Sequence, residues 1–203
     1  AAVPSKIQTG EKIDRMMKKR YLAIPLLAIA LHFLLSNLLY FLVERLVLDV
    51  FHIPPQQFMK HSYWGEILIY AVLILVFFTL YKLLWRKDIS EPRTATNFKD
   101  VLGSLVVGFG ICGISGLWIM LAEQLPSLQK SVEAMNAGAE NIAGGNAFGT
   151  FMIAVIAAPV VEEILFRGIV LRSMRKFTPA WAAILISSVL FGAYHLNIVQ
   201  AAY

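Results

Sequence analysis

Hydrophobic residues along this chain form long continuous runs, and short polar segments separate them. Several runs approach or exceed the roughly 18–20 apolar residues that a helix needs to cross a bilayer. They lie at about residues 21–47, 63–85, 101–121, 147–170 and 180–201. Continuous runs of this length are typical of membrane-spanning helices. The pattern therefore predicts an all-α fold, a polytopic transmembrane helical bundle with about five spans.

The runs and the polar segments divide the chain into three parts. Residues 1–20 form a polar, basic N-terminal segment. Residues 21–146 hold three spans and an amphipathic segment, and residues 147–203 hold a hairpin of two further spans. The amphipathic segment has apolar residues at alternating three- and four-residue steps, which predicts a helix at the membrane interface. These residues are Leu125, Leu128, Val132, Met135, Ala139 and Ile142.

Two of the first three spans carry polar or small residues at notable positions. The polar residues of the first span could line a cavity, although buried hydrogen bonds between helices are the favoured interpretation. These residues are His32, Ser36, Asn37, Glu44 and Arg45. In the third span, small residues recur at every fourth position, and such a stripe lets a neighbouring helix approach closely. We expect it to serve packing. The stripe consists of Ser104, Gly108, Cys112 and Gly116.

Composition supports an integral membrane protein and argues against nucleic acid as a partner. Hydrophobic residues make up 58 % of the chain and charged residues 15 %, against about 45–50 % and about 25 % in soluble domains. The net charge of +5 does not indicate nucleic-acid binding, because the basic residues lie in the segments between spans. A single cysteine, Cys112, excludes both a disulfide framework and a CxxC metal site.

The distribution of lysine and arginine predicts the orientation in the membrane. Basic residues concentrate in the N-terminal segment, after the second span and after the fourth span. With five spans threaded in alternation, these three segments lie on one side of the membrane. Because segments rich in lysine and arginine stay in the cytosol, the N-terminus is predicted to be cytosolic.

The most informative stretch is residues 154–167, AVIAAPVVEEILFR. Here Glu162, Glu163 and Arg167 lie within an apolar run. A charge at membrane depth costs at least ~2.5–3.5 kcal/mol and is kept where it has a partner or a function. Glu163 and Arg167 are spaced i,i+4, the spacing of an ion pair on one helix face. Glu162 points about 100° away from Glu163, so it is the carboxylate left for another role.

The last two spans bring a histidine to the depth of this carboxylate. Their hairpin turn is centred near Thr178, and Glu162 and His195 lie nearly the same number of residues from it. Residues equally far from the turn of an antiparallel hairpin lie at similar depth. A carboxylate and an imidazole placed in this way can share a water molecule. Phe191 lies one turn from His195 and is expected to form a wall of the site.

Three interpretations fit this group of residues. The first is a buried ion cluster that only holds two helices together. The second is a metal site, although no HExxH motif is present and only one histidine lies at this depth. The third is metal-free general-base catalysis. A carboxyl group withdrawn from water holds a proton more tightly than an exposed one, so it can accept a proton from water near neutral pH.

Two motifs in these spans resemble those of a known family. The run EEILFR, Glu162 to Arg167, followed by FGAYH, Phe191 to His195, is similar to the EExxxR and FxxxH motifs of the CPBP family. That family includes type II CAAX prenyl endopeptidases, bacteriocin-processing enzymes and Abi proteins. Pro159, Asn197 and Gln200 are also similar to residues of bacterial members. The resemblance covers about residues 147–203.

The resemblance implies a function and roles for these residues. It implies an intramembrane endopeptidase without a metal or other cofactor, in a bacterial plasma membrane. Glu162 would be the general base with His195 assisting it, while Glu163 and Arg167 would orient them. Phe191 and Asn197 are expected to line the substrate pocket. The substrate would be a peptide or a lipidated peptide in the membrane.

The resemblance also implies a further span with an HxxxN-like motif, whose His and Asn hold the oxyanion. Neither residue occurs before the sequence stops at Tyr203. We therefore expect either a piece of a larger CPBP-type bundle or a member that cannot complete the reaction. An oxyanion donor is worth roughly 2.7–4 kcal/mol in the transition state, so the chain as written should be slow or inactive. The alternative function is a non-catalytic membrane scaffold or an immunity protein that binds another membrane protein.

Overall fold

A computed structural model describes residues 6–86, 97–142 and 146–202. The protein is 88 % helical, and no strand occurs among the residues described. This confirms the predicted all-α fold. The polar connector predicted between the second and third spans, at residues 86–100, falls largely outside the described residues.

Six helical elements follow one another within the described residues. Helix α1 is Lys6–Arg45 and continues into a π-helical turn, Leu46–Val50; α2 is Pro55–Leu84, α3 is Phe98–Glu123 and α4 is Gln129–Asn141. The helical run at residues 147–174 is called α5 here, and α6 is Ala180–Tyr194. Short 3₁₀ turns occur at Pro126–Leu128 and Gln200–Ala202.

Three of these helices are long and apolar enough to cross a membrane. Their candidate spans are Arg20–Val50, Ser62–Leu84 and Phe98–Glu123. Helix α6 is apolar but shorter, and α5 is interrupted by π-helical turns. The first three predicted spans are thus found as single long helices, and crossing by the last two stays a prediction.

The beginnings of two spanning helices follow from local sequence. Pro55 is the first residue of α2, a position where the missing N–H of proline removes no helical hydrogen bond. Helix α3 begins with a capping box. The N–H of Asp100 donates to Oδ1 of Asn97 at 2.9 Å, and the N–H of Asn97 donates to Oδ2 of Asp100 at 3.0 Å. These bonds satisfy two donors that a helix start leaves free.

The main hydrophobic core lies where α1, α2 and α5 pack together, with α6 against α5. Leu73 and Phe77 of α2 and Leu165 and Ile169 of α5 are almost completely buried in it. At one end, the Ser173 hydroxyl donates a hydrogen bond to the backbone oxygen of Tyr21 at 2.7 Å, which ties α5 to α1. The helix with the charged motif is therefore held between two spanning helices.

Helix α3 does not use its stripe of small residues for packing within the described part of this chain. Ser104, Gly108 and Cys112 are exposed. A Cβ added at Gly108 or Gly116 would meet no atom within 4 Å. The expectation that this stripe packs against a neighbouring helix is not met by any element described here.

The amphipathic helix is confirmed, as α4. Its buried Val132 packs with Ala122 at the end of α3 and with Val199 near the end of the chain. The indole N–H of Trp118 donates to the backbone oxygen of Val199 at 2.9 Å. The apolar face of α4 thus contacts protein, and its predicted place at the membrane interface stays a prediction.

The prediction of a fifth span reaching residue 201 is wrong about where the helix ends. Helix α6 ends at Tyr194, and Leu196 then adopts a positive φ of 52°. The chain turns back, so that a Cβ at Gly192 would lie 2.7 Å from the backbone oxygen of Ala201. Glycine permits this close approach because it has no Cβ. His195 is consequently the residue that caps α6.

Candidate active site

The glutamate pair lies at a junction between two kinds of helix in α5. Ala158–Glu162 is α-helical, whereas Phe151–Ala157 before it and Glu163–Leu171 after it are π-helical. Pro159 has no N–H to donate in this region, which is compatible with a departure from regular α-helix. Such π-helical turns occur frequently at functional sites. The junction places Glu162 and Glu163 at the end of one type of turn and the start of the other.

The predicted ion pair forms. Nη1 of Arg167 lies 2.7 Å from Oε1 of Glu163, with 74 % and 54 % of the two side chains exposed. The pair is therefore on an open surface of the helix and not in the protein core. In the part of the chain that the structure describes, the partner of Arg167 is Glu163 and not Glu162.

Glu162 faces a different set of groups from its neighbour. Its side chain is partly buried and interacts electrostatically with His195 of the following helix. It also interacts electrostatically with the phenol groups of Tyr70 on α2 and Tyr194 on α6. The hairpin thus brings Glu162 and His195 together, as their equal distance from the turn predicted.

The His195 ring is held by a backbone hydrogen bond and by aromatic contacts. Nδ1 lies 3.0 Å from the backbone oxygen of Phe191. Because a carbonyl oxygen only accepts, Nδ1 carries the proton in this bond, and Nε2 of the neutral ring is left as an acceptor. The ring of Phe191 meets the imidazole edge-on at 4.7 Å, and that of Tyr194 does so at 5.5 Å. These contacts fix both the tautomer and the orientation of His195.

A cavity of about 420 Å³ lies beside the glutamate pair. Of the predicted site residues, Glu162, Glu163, Arg167 and Phe191 line it, whereas His195 and Asn197 do not. The full lining comprises Pro159, Glu162, Glu163, Phe166, Arg167, Ser187, Ser188, Phe191, Ala201 and Ala202. Its lining combines charged side chains with apolar rings, which is typical of sites that bind a partly apolar ligand.

Asn197 is engaged in holding the turn after α6. Its Oδ1 accepts the N–H groups of Val199 and Gln200 at 2.9 and 3.2 Å. Its Nδ2 donates to the backbone oxygen of Ser131 on α4 at 2.8 Å. The structure therefore shows Asn197 as a link between the turn and α4, and its place in a substrate pocket stays a prediction.

Sequence reasoning missed several residues around the site. Ser187 lines the cavity and lies four residues before Phe191 on α6, so helical spacing alone could have identified it. Phe166 meets the Phe191 ring at 5.0 Å and was also identifiable from its position in the motif. Sequence spacing could not have identified Tyr70, because its interaction with Glu162 depends on how α2 packs against α5.

The arrangement can support acid–base chemistry on a water molecule. A carboxylate and an imidazole of fixed orientation lie near each other, and the carboxylate faces a cavity large enough for a ligand. Among the residues described, no three His, Cys, Asp or Glu side chains converge as metal ligands. A metal site would therefore need ligands beyond this group.

Comparison with known proteins supports the resemblance of the two motifs. The model of the family described as type II CAAX prenyl endopeptidase Rce1-like matches residues 144–203. This range contains the whole of α5 and α6 and every residue predicted for the site. No curated protein and no solved structure matches the chain. The resemblance to the CPBP family is thus confirmed for the C-terminal part of the chain.

Proposed function

Starting from the match of residues 144–203 to the Rce1-like family, we propose that this integral membrane protein is an intramembrane endopeptidase. It hydrolyses a peptide bond in a membrane-associated peptide or lipidated peptide, with a water molecule activated by Glu162. The N-terminus lies in the cytosol, and the membrane is a bacterial plasma membrane.

One observation carries this proposal: the two adjacent glutamates have different partners. Glu163 is held by Arg167 at 2.7 Å. Glu162 faces His195 and the cavity instead. The arginine of the motif thus neutralises Glu163 and leaves Glu162 to the imidazole and the cavity. A general base, in contrast, must be able to accept a proton and later release it.

The reaction that fits this geometry begins with a water molecule beside Glu162. The carboxylate takes a proton from the water while the water oxygen attacks the carbonyl carbon of the peptide bond. Nε2 of His195, left as an acceptor by the bond to Phe191, orients the water. The tetrahedral intermediate then loses the amine, which leaves with the proton that Glu162 accepted. The products are a new carboxyl group and a new amine.

The ion pair between Glu163 and Arg167 and the rings of Phe166 and Phe191 support the reaction without touching the water molecule. The ion pair with Arg167 neutralises Glu163, so the proposal assigns the role of base to Glu162 alone. Phe166 and Phe191 give the cavity an apolar wall. An apolar wall favours a substrate segment with hydrophobic side chains or an attached lipid.

Hydrolysis can be tested by following the oxygen atom of water. The protein, expressed from its complete reading frame and placed in lipid vesicles, is incubated with farnesylated and unmodified peptides in ¹⁸O-labelled water. The proposal predicts one ¹⁸O atom in the new carboxyl group of the product, detected by mass spectrometry. A Glu140→Gln protein is the control, because Glu140 is an exposed residue of α4 and should not affect the rate. Intact peptides in every reaction would contradict the proposal.

A second candidate function is favoured by the exposed surface of α3. The glycines of this stripe have open space beside them in the described part of the chain, and such a surface can bind a helix of another membrane protein. In that case the protein is a non-catalytic scaffold or an immunity protein. Gly108→Leu should then reduce recovery of a co-purifying membrane protein, while Glu162→Gln leaves the cellular phenotype unchanged. The opposite pattern favours the enzyme.

A further inference from the structure

A second cavity, of about 310 Å³, lies between α1, α2 and the end of α6. Its wall contains an unusual number of polar side chains for a membrane-spanning region: His32, Ser36, Asn37, Tyr40, Glu66, Tyr70 and Tyr194. Tyr194 lies within the FGAYH run, whereas the other six residues lie outside the motifs that the family resemblance rests on. At about 30 Å³ for each water of the liquid, the volume corresponds to on the order of ten water molecules.

The cavity runs along α1 from the interior of the protein to its surface. His32 is 6 % exposed, whereas Tyr40, eight residues later, is 47 % exposed. These residues are about 12 Å apart along the helix axis. At the exposed end, the Tyr40 hydroxyl donates to Oε1 of Glu66 at 3.2 Å. At the buried end, the Tyr194 hydroxyl lies 3.0 Å from Nδ1 of His32.

Two tyrosines connect this cavity to the glutamate of the candidate active site. Tyr70 and Tyr194 both line the second cavity. Both also interact electrostatically with Glu162, which lines the first cavity. The two cavities also meet through packed rings, because the Tyr194 ring of the second cavity lies 5.2 Å from the Phe166 ring of the first. Ionisable residues inside a membrane protein commonly face water and mark the route of a proton or a polar substrate.

We propose that the second cavity is a water-filled chamber that supplies water to Glu162. Its polar side chains supply hydrogen-bond donors and acceptors of the kind that buried waters require. The supply role rests on the proposed function, in which one water is consumed for every peptide bond cut. A peptide seated in the first cavity covers that side of Glu162. The water for the next reaction then arrives from the side of Tyr70 and Tyr194.

Hydration of the chamber is tested by thiol labelling, which does not depend on catalysis. Cys112 is the one cysteine of the chain, so a Cys112→Ala protein is a clean background. In it, Ser36→Cys places a thiol in the chamber wall. Leu34→Cys is the matched control, because Leu34 is two residues away at nearly the same depth and is 70 % exposed on the outer face of α1. Both proteins in membranes are treated with a charged, membrane-impermeant thiosulfonate.

A water-filled chamber predicts that Ser36→Cys is modified several times faster than Leu34→Cys, because the reactive thiolate forms in water and not in lipid. Equal rates, or faster modification of Leu34→Cys, would overturn the chamber. Asn37→Cys provides the same comparison if Ser36→Cys fails to fold. Because the readout is covalent labelling, it gives an answer even if no peptide is ever cut.

The supply role is tested by filling the chamber. Ser36→Trp should lower kcat for peptide hydrolysis several-fold and leave KM unchanged, because the substrate still enters through the first cavity. Leu34→Trp, which adds the same ring outside the chamber, should keep the parent kcat. If Ser36→Trp kept the kcat of the parent protein, or if Leu34→Trp lost as much kcat as Ser36→Trp, the proposed supply of water through the chamber would be overturned. If the parent itself cuts no peptide, the proposed function fails, and the labelling rates still decide whether the chamber holds water.

Discussion

Glu163 and Arg167 form an ion pair of 2.7 Å on the same face of α5, one residue away from a glutamate that faces another helix. This relationship divides two chemically identical side chains into two roles. Glu163 is neutralised by a cation within one helical turn. Glu162 is directed to His195 and to the cavity. Each role leads to a different response to mutation.

Arg167→Ala should lower the thermal stability of the purified protein, but by a small amount. The pair is largely exposed, and exposed ion pairs contribute about 0–1 kcal/mol, well below the roughly 3–5 kcal/mol for breaking a buried pair. Glu162→Gln should be neutral or stabilising in the same thermal unfolding measurement, because catalytic groups are commonly held at some cost to the fold. If Glu162→Gln lowered the unfolding temperature as much as Arg167→Ala, both glutamates would be structural.

His195→Ala should lower the rate of peptide hydrolysis by about 10²–10⁴-fold, the usual contribution of a positioned acid–base group. The Nδ1 bond to Phe191 and the ring contacts show an imidazole held in one orientation. His52→Ala is the matched control, since His52 lies in the exposed turn between α1 and α2. The measurement is the initial rate of hydrolysis at saturating peptide for the parent, His195→Ala and His52→Ala. Equal rates for the parent and His195→Ala would remove this histidine from the mechanism.

Gly192→Ala should destabilise the packing of residues 200–202 against α6. The added Cβ would lie 2.7 Å from the backbone oxygen of Ala201, and overpacking of this kind costs about 1–3 kcal/mol. Gly110→Ala is the control, because nothing lies within 4 Å of its added Cβ. In an exposed helix that change should stabilise by up to about 1 kcal/mol. Thermal unfolding of both variants in detergent checks this, and equal shifts would contradict the observed turn.

Treatment with a strong chelator should leave peptide hydrolysis intact, because the proposal assigns activation of water to a carboxylate. The measurement is the initial rate before and after dialysis against the chelator. Loss of activity that zinc restores would instead support the metal interpretation of the site.

Local sequence spacing was enough to predict part of the site. Glu163 and Arg167 meet because residues four apart on a helix are neighbours. Glu162 interacts electrostatically with His195 because a short hairpin fixes their relative depth. The π-helical turns around the motif could not be predicted, since apolar residues satisfy either kind of helix. Nor could the contact between His32 and Tyr194, which depends on how α1 packs against α6.

The end of the last helix shows another limit of sequence patterns. Ile198, Val199 and Ala201 continue the apolar pattern of α6, so they were assigned to one long span. The structure turns at Leu196 and buries Val199 against α3 and α4. An apolar run therefore predicted that these residues avoid water, but not whether lipid or protein would surround them.

The most direct test of the account compares Glu162→Gln with Glu163→Gln in peptide hydrolysis at saturating substrate. Both changes keep the size of the side chain and remove one carboxylate from the same turn of α5. We expect Glu162→Gln to lower kcat by about 10²–10⁴-fold, whereas Glu163→Gln retains measurable turnover because it removes a positioning group. Parent-like turnover in Glu162→Gln, with activity lost in Glu163→Gln, would contradict the assignment of Glu162 as the general base.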